Sequence, residues 1–418
     1  MGFHSGQIST TIHESVANTR VQIDTENGVI AMHFGAFPVI QVSGPAYERG
    51  HQHGTLARDR VAHSVEIYRQ AFAESAGLAW PEVLDEANRF AGVIKDFDRN
   101  ILTEMYGIAD GAGLRREEIV AINCRTEILF GGRGQARQDP SEAECTTIAV
   151  APRASATGST ILAKNWDWRA PCQETIVLLQ AEQDEAPNFV MLVEAGMVGR
   201  DGFNDAGIAI CGNLLRSTRD GSKPGVPVPF IRRRVLNSAR MDHALGEILN
   251  AQRAASTNYV IAHESGMIID FEASPEQVYP VYPERGLMTH SNHFTHVAAQ
   301  IQGIGRLTSP DTLYRMHQAR ELLEPAIGSI TVEDVKAVLR DHAGFPQAIC
   351  RHPDPDLPGS RRTMSIASII IDLGNRVMHV AGGPPCSHEY HTIGLPHAED
   401  RSLVNTEQTA FARTSTVS

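Results

Sequence analysis

The chain has 418 residues, 42% of them hydrophobic, which is enough to bury a large core and to form two or three domains. Its net charge of −12, without a long basic block, argues against nucleic acid or an anionic membrane as a partner. Residues 1–30 contain no apolar signal-peptide core, and the chain has no apolar stretch of about 18 residues. We therefore expect a cytoplasmic protein without a membrane segment.

The first part of the chain is predicted to be mostly helical. A short strand pair is expected at 31–42. Helical periodicity then covers three segments, 45–76, 80–108 and 116–130. Pro81 fits a first-turn position, and Gly77 and Gly113 fit helix ends. Residues 1–144 are therefore predicted to form an α-rich front segment.

A polar, Gly-rich segment at 131–144 follows. Its Gly, Pro and charged residues cannot build a core, so it is predicted to be an exposed connection and the best boundary in the chain. Cys145 comes next, at the first residue of a predicted strand. Cleavage at such a place would leave a new amino group beside the sulfur, which suggests a nucleophile. The alternative is an ordinary core cysteine, because free cysteine is often buried.

The other five cysteines are scattered along the chain and are predicted to be core or strand residues. No CxxC pair is present, and no disulfide framework is predicted.

The rest of the chain is predicted to be rich in strands. Strand patterns cover 145–150, 160–166, 175–181, 188–194, 207–213, 259–263, 267–272, 364–372 and 376–381. Helical patterns cover 229–238, 241–253, 309–323 and 331–342. Ser309 and Thr331 are predicted N-caps. Many strands with two groups of helices favour an α+β fold for residues 145–400, and 401–418 is predicted to be a disordered tail.

A carboxylate follows the nucleophile candidate by one strand. Asp167 ends the second predicted strand of this part, between two tryptophans. If that strand pairs with the strand that begins at Cys145, the carboxylate comes within reach of the thiol. The alternative is an exposed aspartate at a strand end.

Nine segments, taken in chain order, resemble a known family. They are 44–54, 107–113, 145–147, 165–168, 202–207, 258–259, 271–275, 290–294 and 383–386. Together they resemble the family of the penicillin-forming acyl-CoA:6-aminopenicillanic acid acyltransferase, autoprocessed amidases and acyltransferases with an N-terminal cysteine nucleophile. The resemblance implies the four-layer αββα sandwich of N-terminal nucleophile hydrolases. It departs at Glu144, because the fungal enzyme has glycine before the nucleophile.

The resemblance also implies roles for single residues. Self-cleavage between Glu144 and Cys145 would free an α-amine with a pKa of about 8 beside the thiol, so that one residue supplies nucleophile and base. Asp167 would orient this amine and thiol. Asn292 would help to bind the oxyanion through its side-chain NH2.

Three other features allow more than one interpretation. The family tends to keep a positive charge near the nucleophile, and either Arg361 or Arg362 can supply it. Side chains alternate along a strand, so only one of the two can point inward, and Arg362 is the candidate. The alternative is that both lie in a solvated strand entry. Histidines at 290, 293 and 296 are spaced as a metal patch could be, but without an acidic or cysteine ligand, so no metal is expected. The stretch 216–229 is predicted to be a loop, either over the active site or at the surface.

Hydrolysis and acyl transfer share a thioester at Cys145 and differ in whether water or an amine takes the acyl group. No phosphate-cradling loop marks a coenzyme A site, and no cofactor is expected. We therefore favour hydrolysis of a small N-acyl or peptide-like amide, with transfer to an amine as the alternative. If the chain stays uncut, a third hypothesis is a non-catalytic protein that binds a ligand. The expected partners are a small amide substrate and, after cleavage, the chains 1–144 and 145–418 as a heterodimer.

Overall fold

The computed structural model describes residues 19–24, 29–34, 37–131, 144–222, 224–300 and 302–395. The predicted tail at 401–418 lies outside these residues, and so does most of the predicted connection at 131–144. The last residue of that connection, Glu144, is buried instead of exposed, because the following strand starts one residue earlier than predicted.

The described residues form eleven α-helices: α1 (Ala46–Leu56), α2 (Arg58–Ala71), α3 (Trp80–Phe97), α4 (Arg99–Ala112), α5 (Arg116–Asn123), α6 (Arg125–Gly131), α7 (Val228–Leu236), α8 (Met241–Leu249), α9 (Gly305–Thr308), α10 (Asp311–Leu323) and α11 (Val332–Leu339). A π-helical turn (Phe72–Ala76) extends α2. Three short 3₁₀ segments are Ala170–Thr175, Glu324–Ala326 and Gly359–Arg361. None of these helices is long and apolar enough to cross a bilayer.

The described residues also form sixteen β-strands: β1 (Thr19–Asp24), β2 (Val29–Phe34), β3 (Phe37–Ser43), β4 (Glu144–Val150), β5 (Ile161–Arg169), β6 (Ile176–Glu182), β7 (Phe189–Glu194), β8 (Asp201–Asn204), β9 (Ile208–Cys211), β10 (Thr257–His263), β11 (Ile268–Ala273), β12 (Val278–Val281), β13 (Leu287–His290), β14 (Thr363–Asp372), β15 (Val377–Ala381) and β16 (His391–Gly394).

The strands make two sheets. The large sheet has ten strands in the order β1-β2-β3-β6-β7-β8-β9-β10-β11-β12, and the small sheet has six in the order β13-β4-β5-β14-β15-β16. Among the described pairs, β3 and β6 run parallel and the others antiparallel.

The two sheets lie between two layers of helices. On one side of the small sheet, α10 and α11 contact β4, β5, β13 and β14, and a hydrophobic cluster that includes Ile148, Leu323 and Val338 fills the space between them. On its other side, β5 contacts β9 of the large sheet, and α1 and α7 contact strands of that sheet. The order helix, sheet, sheet, helix is the predicted αββα sandwich, and the α+β class is confirmed.

Each long helix predicted in the front segment is two helices in the structure. The breaks fall at Ala57, Asp98 and Cys124. At Asp98 the side chain accepts hydrogen bonds from the backbone N–H groups of Asn100 and Ile101, at 2.9 and 3.2 Å, and so caps a new helix. The apolar periodicity continues across this aspartate, which is why the pattern predicted one helix.

Most of the predicted helix-end signals are confirmed. Gly77 and Gly113 end helices with positive φ angles of 66° and 73°. Thr331 caps α11 by accepting a backbone hydrogen bond at 3.1 Å. The predicted cap at Ser309 was wrong: α10 starts at Asp311, one residue later than predicted, with Pro310 as its N-cap, and the Ser309 side chain bonds to Glu144 instead.

Glycines let α1 and α4 approach each other closely. A Cβ on Gly50 would lie 1.9 Å from the carbonyl oxygen of Glu104, and a Cβ on Gly111 would lie 2.3 Å from that of His51. Both distances are far below van der Waals contact, so alanine at either position would force the helices apart. The glycine motifs of the front segment therefore serve the packing of these two helices.

The front segment shares its sheet and its core with the rest of the chain. Residues 39–43 of β3 pair in parallel with residues 178–182 of β6. Glu104 on α4 forms a two-bond ion pair with Arg233 on α7, with both distances at 2.8 Å. One continuous hydrophobic cluster contains residues from both sides of Glu144. The chain after Glu144 thus depends on the chain before it for packing.

Candidate active site

The strands β4 and β5 pair, which is the condition for Asp167 to come near Cys145, and this pairing sets the geometry of the candidate site. Cys145 lies opposite Trp166, and Glu144 lies opposite Asp167. Side chains alternate between the faces of a sheet, so Cys145 and Trp166 face the large sheet. Glu144 and Asp167 lie on the other face, toward α10 and α11. Cys145 and Asp167 are therefore diagonal neighbours whose side chains leave opposite faces.

Two side chains hold the backbone of Cys145. Its N–H donates to Asn292 Oδ1 at 2.8 Å, and its carbonyl oxygen accepts from Arg315 Nη1 at 2.7 Å. Arg315 Nη2 also donates to Asn292 Oδ1 at 3.1 Å, and Asn292 Nδ2 donates to the Leu214 carbonyl at 2.9 Å. Donors on one side and an acceptor on the other fix the orientation of this amide. The structure thus brings Asn292 to Cys145 with the oxygen, not the NH2, facing the nitrogen.

Glu144 is buried beside Arg315. Arg315 Nη2 donates to the Glu144 carboxylate, and Arg315 Nε donates to Asp311 at 2.8 Å. Burial raises the pKa of Glu144 to about 7, and Arg315 opposes that rise. Burial works to lower the pKa of Arg315, but the carboxylates of Glu144 and Asp311 outweigh it and raise that pKa. Arg315 therefore stays protonated and touches both residues of the Glu144–Cys145 bond.

Asp167 has one oxygen with a hydrogen bond and one without. Ser365 Oγ donates to Asp167 Oδ1 at 2.6 Å. Asp167 Oδ2 lies 3.7 Å from Arg351 Nε and accepts no hydrogen bond from the described residues. Burial raises the pKa of Asp167, and Arg351 opposes the rise. An unpartnered buried oxygen is costly, so Oδ2 is an acceptor available to a further donor.

The structure does not bring the Arg362 side chain to this group. Arg362 donates through Nε to the carbonyl of Leu357 at 2.9 Å and through Nη2 to that of Pro355 at 3.1 Å. The guanidinium that faces Asp167 belongs instead to Arg351. Arg351 lies in an irregular segment, where no periodic pattern in the sequence indicates which way a side chain points.

The thiol of Cys145 borders a small cavity of about 50 Å³. The cavity is also lined by Trp166, Arg200, Leu214, Val228 and Pro229, among others. The last two belong to α7, so the predicted loop at 216–229 leads directly to the site. A larger cleft of about 730 Å³ lies between α3 and α8, and its lining includes none of the residues that hold Cys145.

Positive charge surrounds the cavity. Asp201 lies 2.7 Å from Lys164 Nζ, 3.1 Å from Arg232 Nη1 and 3.9 Å from Arg200 Nε. Burial lowers the pKa of Arg200 to about 10, which leaves it charged at neutral pH. Burial raises the pKa of the Cys145 thiol, while Lys164 and Arg200 oppose that rise. One carboxylate thus faces three cations, and the cavity itself is lined by three arginines, Arg125, Arg200 and Arg232, and one acidic residue, Asp167.

The three spaced histidines do not converge on one point. His290 Nε2 lies 2.8 Å from Glu272 Oε1, and His290 Nδ1 lies 2.8 Å from the Ser291 carbonyl. The expectation that no acidic group accompanies these histidines was therefore wrong. Burial opposes protonation, but Asp270 and Glu272 raise the pKa of His290 to about 9. His293 instead bonds to α10. A protonated His290 can donate to both Glu272 Oε1 and the Ser291 carbonyl, and it forms a buried ion pair with Glu272.

The αββα sandwich, with a cysteine near the start of an inner strand, has the fold of the N-terminal nucleophile hydrolases. The family described as acyl-coenzyme A:6-aminopenicillanic acid acyl-transferase matches residues 155–385. The match covers more than half of the chain, and the chain belongs to this family.

One relative carries the name of this family. The 40 kDa form of acyl-coenzyme A:6-aminopenicillanic-acid-acyltransferase from Emericella nidulans is 26% identical over 370 residues, which cover 87% of this chain and 98% of the relative. Two solved structures are more distant. Penicillin V acylase from Agrobacterium tumefaciens is 14% identical with a TM-score of 0.38, over 57% of this chain and 83% of that one. A mutant of conjugated bile acid hydrolase from Clostridium perfringens is 12% identical with a TM-score of 0.40, over 61% of this chain and 99% of that one.

Proposed function

We propose that this protein is an autoprocessed N-terminal cysteine amidohydrolase that cleaves a small N-acyl or peptide-like amide through a thioester on Cys145. The observation that carries the proposal is the double hold on the Cys145 backbone by Asn292 and Arg315, with the thiol directed into a positively charged cavity. An ordinary core cysteine needs neither feature.

The first proposed step is self-cleavage. The Cys145 sulfur attacks the carbonyl carbon of Glu144, the peptide C–N bond breaks, and the nitrogen gains the proton that the thiol loses. Water then hydrolyses the thioester, which gives chain 1–144 a new carboxylate and restores the thiol at the start of chain 145–418. Arg315 supports this step because it binds the Glu144 carboxylate and the Cys145 carbonyl on either side of the bond that breaks.

Cleavage changes what the Cys145 nitrogen can bind. An amide carries one hydrogen, and here it goes to Asn292 Oδ1. A free α-amine, with a pKa of about 8, carries more hydrogens and can bind a second acceptor. Asp167 Oδ2 is an unpartnered acceptor on the neighbouring strand. We propose that the amine is the base that takes the thiol proton, and that Asn292 and Asp167 orient this amine.

The charge around Asp201 favours a substrate class. Three cations against one carboxylate attract an anion, so we propose an amide that carries a carboxylate near the scissile bond. Arg200 is the cation best placed for this contact, because its guanidinium lies 3.5 Å from the centre of the Trp166 ring and it lines the cavity.

The reaction and substrate class can be tested together. Each N-acyl amino acid of a panel is paired with its neutral C-terminal amide, and release of free acyl acid is measured with and without an added amine. We expect faster release from the acids, and a smaller preference in Arg200→Gln than in the surface control Arg89→Gln. Equal rates for acid and amide would remove the carboxylate from the proposal. A new amide formed in preference to free acid would replace hydrolysis by acyl transfer.

Asn292→Ala is expected to slow turnover by roughly 100–1000-fold, the usual effect of losing one oxyanion-hole donor, the role that the family resemblance gives to the Asn292 NH2. The protein should stay folded. Asn292→Asp separates the two possible roles, because it keeps an acceptor for the Cys145 nitrogen and lacks the NH2. A similar loss in both variants would assign the effect to the NH2. Turnover near the wild-type value in Asn292→Ala, measured beside the Tm, would remove this residue from the site.

The front segment is expected to stay bound after cleavage. Its large side chains, such as Val61, Phe72 and Met105, are fully buried, and each contributes about 1.5–3 kcal/mol. The pairing of β3 with β6 adds backbone hydrogen bonds. Size-exclusion chromatography of the processed protein should therefore give one peak that contains both chains. Elution of the two chains as separate peaks under native conditions would contradict this.

A further inference from the structure

Four side chains outside the Cys145 group converge on one point near the end of α11. Their ligand atoms all lie within 4.8 Å of one another. This histidine–cysteine cluster consists of His342, Cys350, His352 and Cys386. Three of its members belong to the segment that follows α11, and the fourth follows β15.

The distances within the cluster match a metal site. His342 Nε2 and His352 Nε2 are 3.1 Å apart. The sulfurs of Cys350 and Cys386 lie 3.6 and 3.4 Å from His352 Nε2. In a tetrahedral zinc site with Zn–N of about 2.0–2.1 Å and Zn–S of about 2.3 Å, neighbouring ligand atoms are about 3.3 Å apart for two nitrogens and about 3.6 Å for nitrogen and sulfur. Three of the six distances between ligand atoms are therefore close to the edges of such a tetrahedron, and the other three are each within 4.8 Å.

Hydrogen bonding does not explain this convergence. Three groups approach His352 Nε2, but an imidazole nitrogen has either one proton or one lone pair and can satisfy one strong partner. The thiol groups are weak donors and weak acceptors. A cation at the centre would use the lone pairs of both rings and both sulfurs, with the two thiols deprotonated.

We propose that the histidine–cysteine cluster binds one zinc ion. Two thiolates and two imidazoles are a common donor set for structural zinc, and four protein ligands leave no open position for chemistry. The sequence does not reveal the site through a CxxC pair, because its cysteines are 36 residues apart and a β-hairpin separates them.

The position of the cluster gives the ion a positioning role. Arg351 lies between two of the ligands, Cys350 and His352. Its N–H donates to Ser365 Oγ at 3.0 Å, the same hydroxyl that donates to Asp167 at 2.6 Å. Its guanidinium faces the other oxygen of Asp167. Zinc would thus join the segment after α11 to the segment after β15 and hold the groups that surround Asp167.

Metal content tests the proposal without any measurement of activity. The purified protein, prepared without chelator and containing both segments, is expected to hold about one zinc ion per 418 residues by elemental analysis. Cobalt added to the chelator-stripped protein should give the absorption of a tetrahedral thiolate site. Cys386→Ser is expected to reduce the sulfur-to-cobalt band to about half, since one of two thiolates is lost. Cys124→Ala, which removes a buried thiol elsewhere, should leave the band unchanged.

His342 offers a second test on an exposed ligand. His342→Ala should lose zinc, whereas His317→Ala, a change at an exposed histidine of α10, should retain it. Only traces of zinc in the purified protein, together with no thiolate band on cobalt titration, would overturn the proposal. A disulfide between Cys350 and Cys386 in protein purified under reducing conditions would also overturn it.

Discussion

Cys145→Ala is expected to remain a single full-length chain and to show no turnover. The substitution removes the sulfur that attacks Glu144 during processing and the substrate afterwards, so both reactions should stop together. Cys145→Ser is expected to process slowly, because a hydroxyl can make the same acyl shift but is a poorer nucleophile near neutral pH. Denaturing electrophoresis and an amide-hydrolysis assay on the same samples measure both effects.

Cys172→Ala is a suitable control for this substitution. It removes another buried thiol, one close to Tyr68 and not to Cys145, and should leave processing unchanged. The proposed mechanism would be contradicted if Cys145→Ala gave two chains of the sizes expected for 1–144 and 145–418. Loss of processing in both variants would point to a general folding defect.

Arg315→Met is expected to destabilise the uncut chain by about 3–5 kcal/mol, the usual cost of leaving a buried charge without its partner. Arg315 is buried, and its removal leaves the buried Glu144 carboxylate without its ion-pair partner, whereas Asp311 keeps its contact with Arg351. The comparison belongs in the Cys145→Ala background, where every molecule is uncut. The measurement is the free energy of unfolding from denaturant titration.

Arg306→Met is the matched control, because Arg306 is exposed on the short helix just before α10. A surface change of this kind is expected to alter the free energy of unfolding by no more than about 0.5 kcal/mol. Equal free energies of unfolding for Arg315→Met and Arg306→Met would show that Arg315 does not stabilise the buried Glu144 carboxylate.

Local patterns predicted most of the architecture, and the strands that they missed after Glu144 have a common cause. The longer strands, such as β4 and β5, carry enough residues for their pattern to be read. The strands β8, β12, β13 and β16 have four residues each, and so short a run has little periodicity of its own. Their neighbours in the sheet, not their own sequences, determine their conformation.

In the candidate site, too, the sequence could predict some residues and not others. Asp167 could be placed near Cys145 because β4 and β5 follow each other in the chain, and consecutive strands often pair. Arg315 donates to the Cys145 carbonyl from 170 residues away, and its spacing from Asp311 reads as an ordinary helix ion pair. Arg351 has no regular element around it. Contacts of this kind arise only when separate layers pack together.

Intact-mass analysis of the purified wild-type protein tests the central proposal most directly. We expect two masses, which correspond to residues 1–144 and 145–418, with Cys145 as the new N-terminus and no full-length chain after extended incubation. A single mass for the whole chain, or a new N-terminus at any residue other than Cys145, would contradict the account.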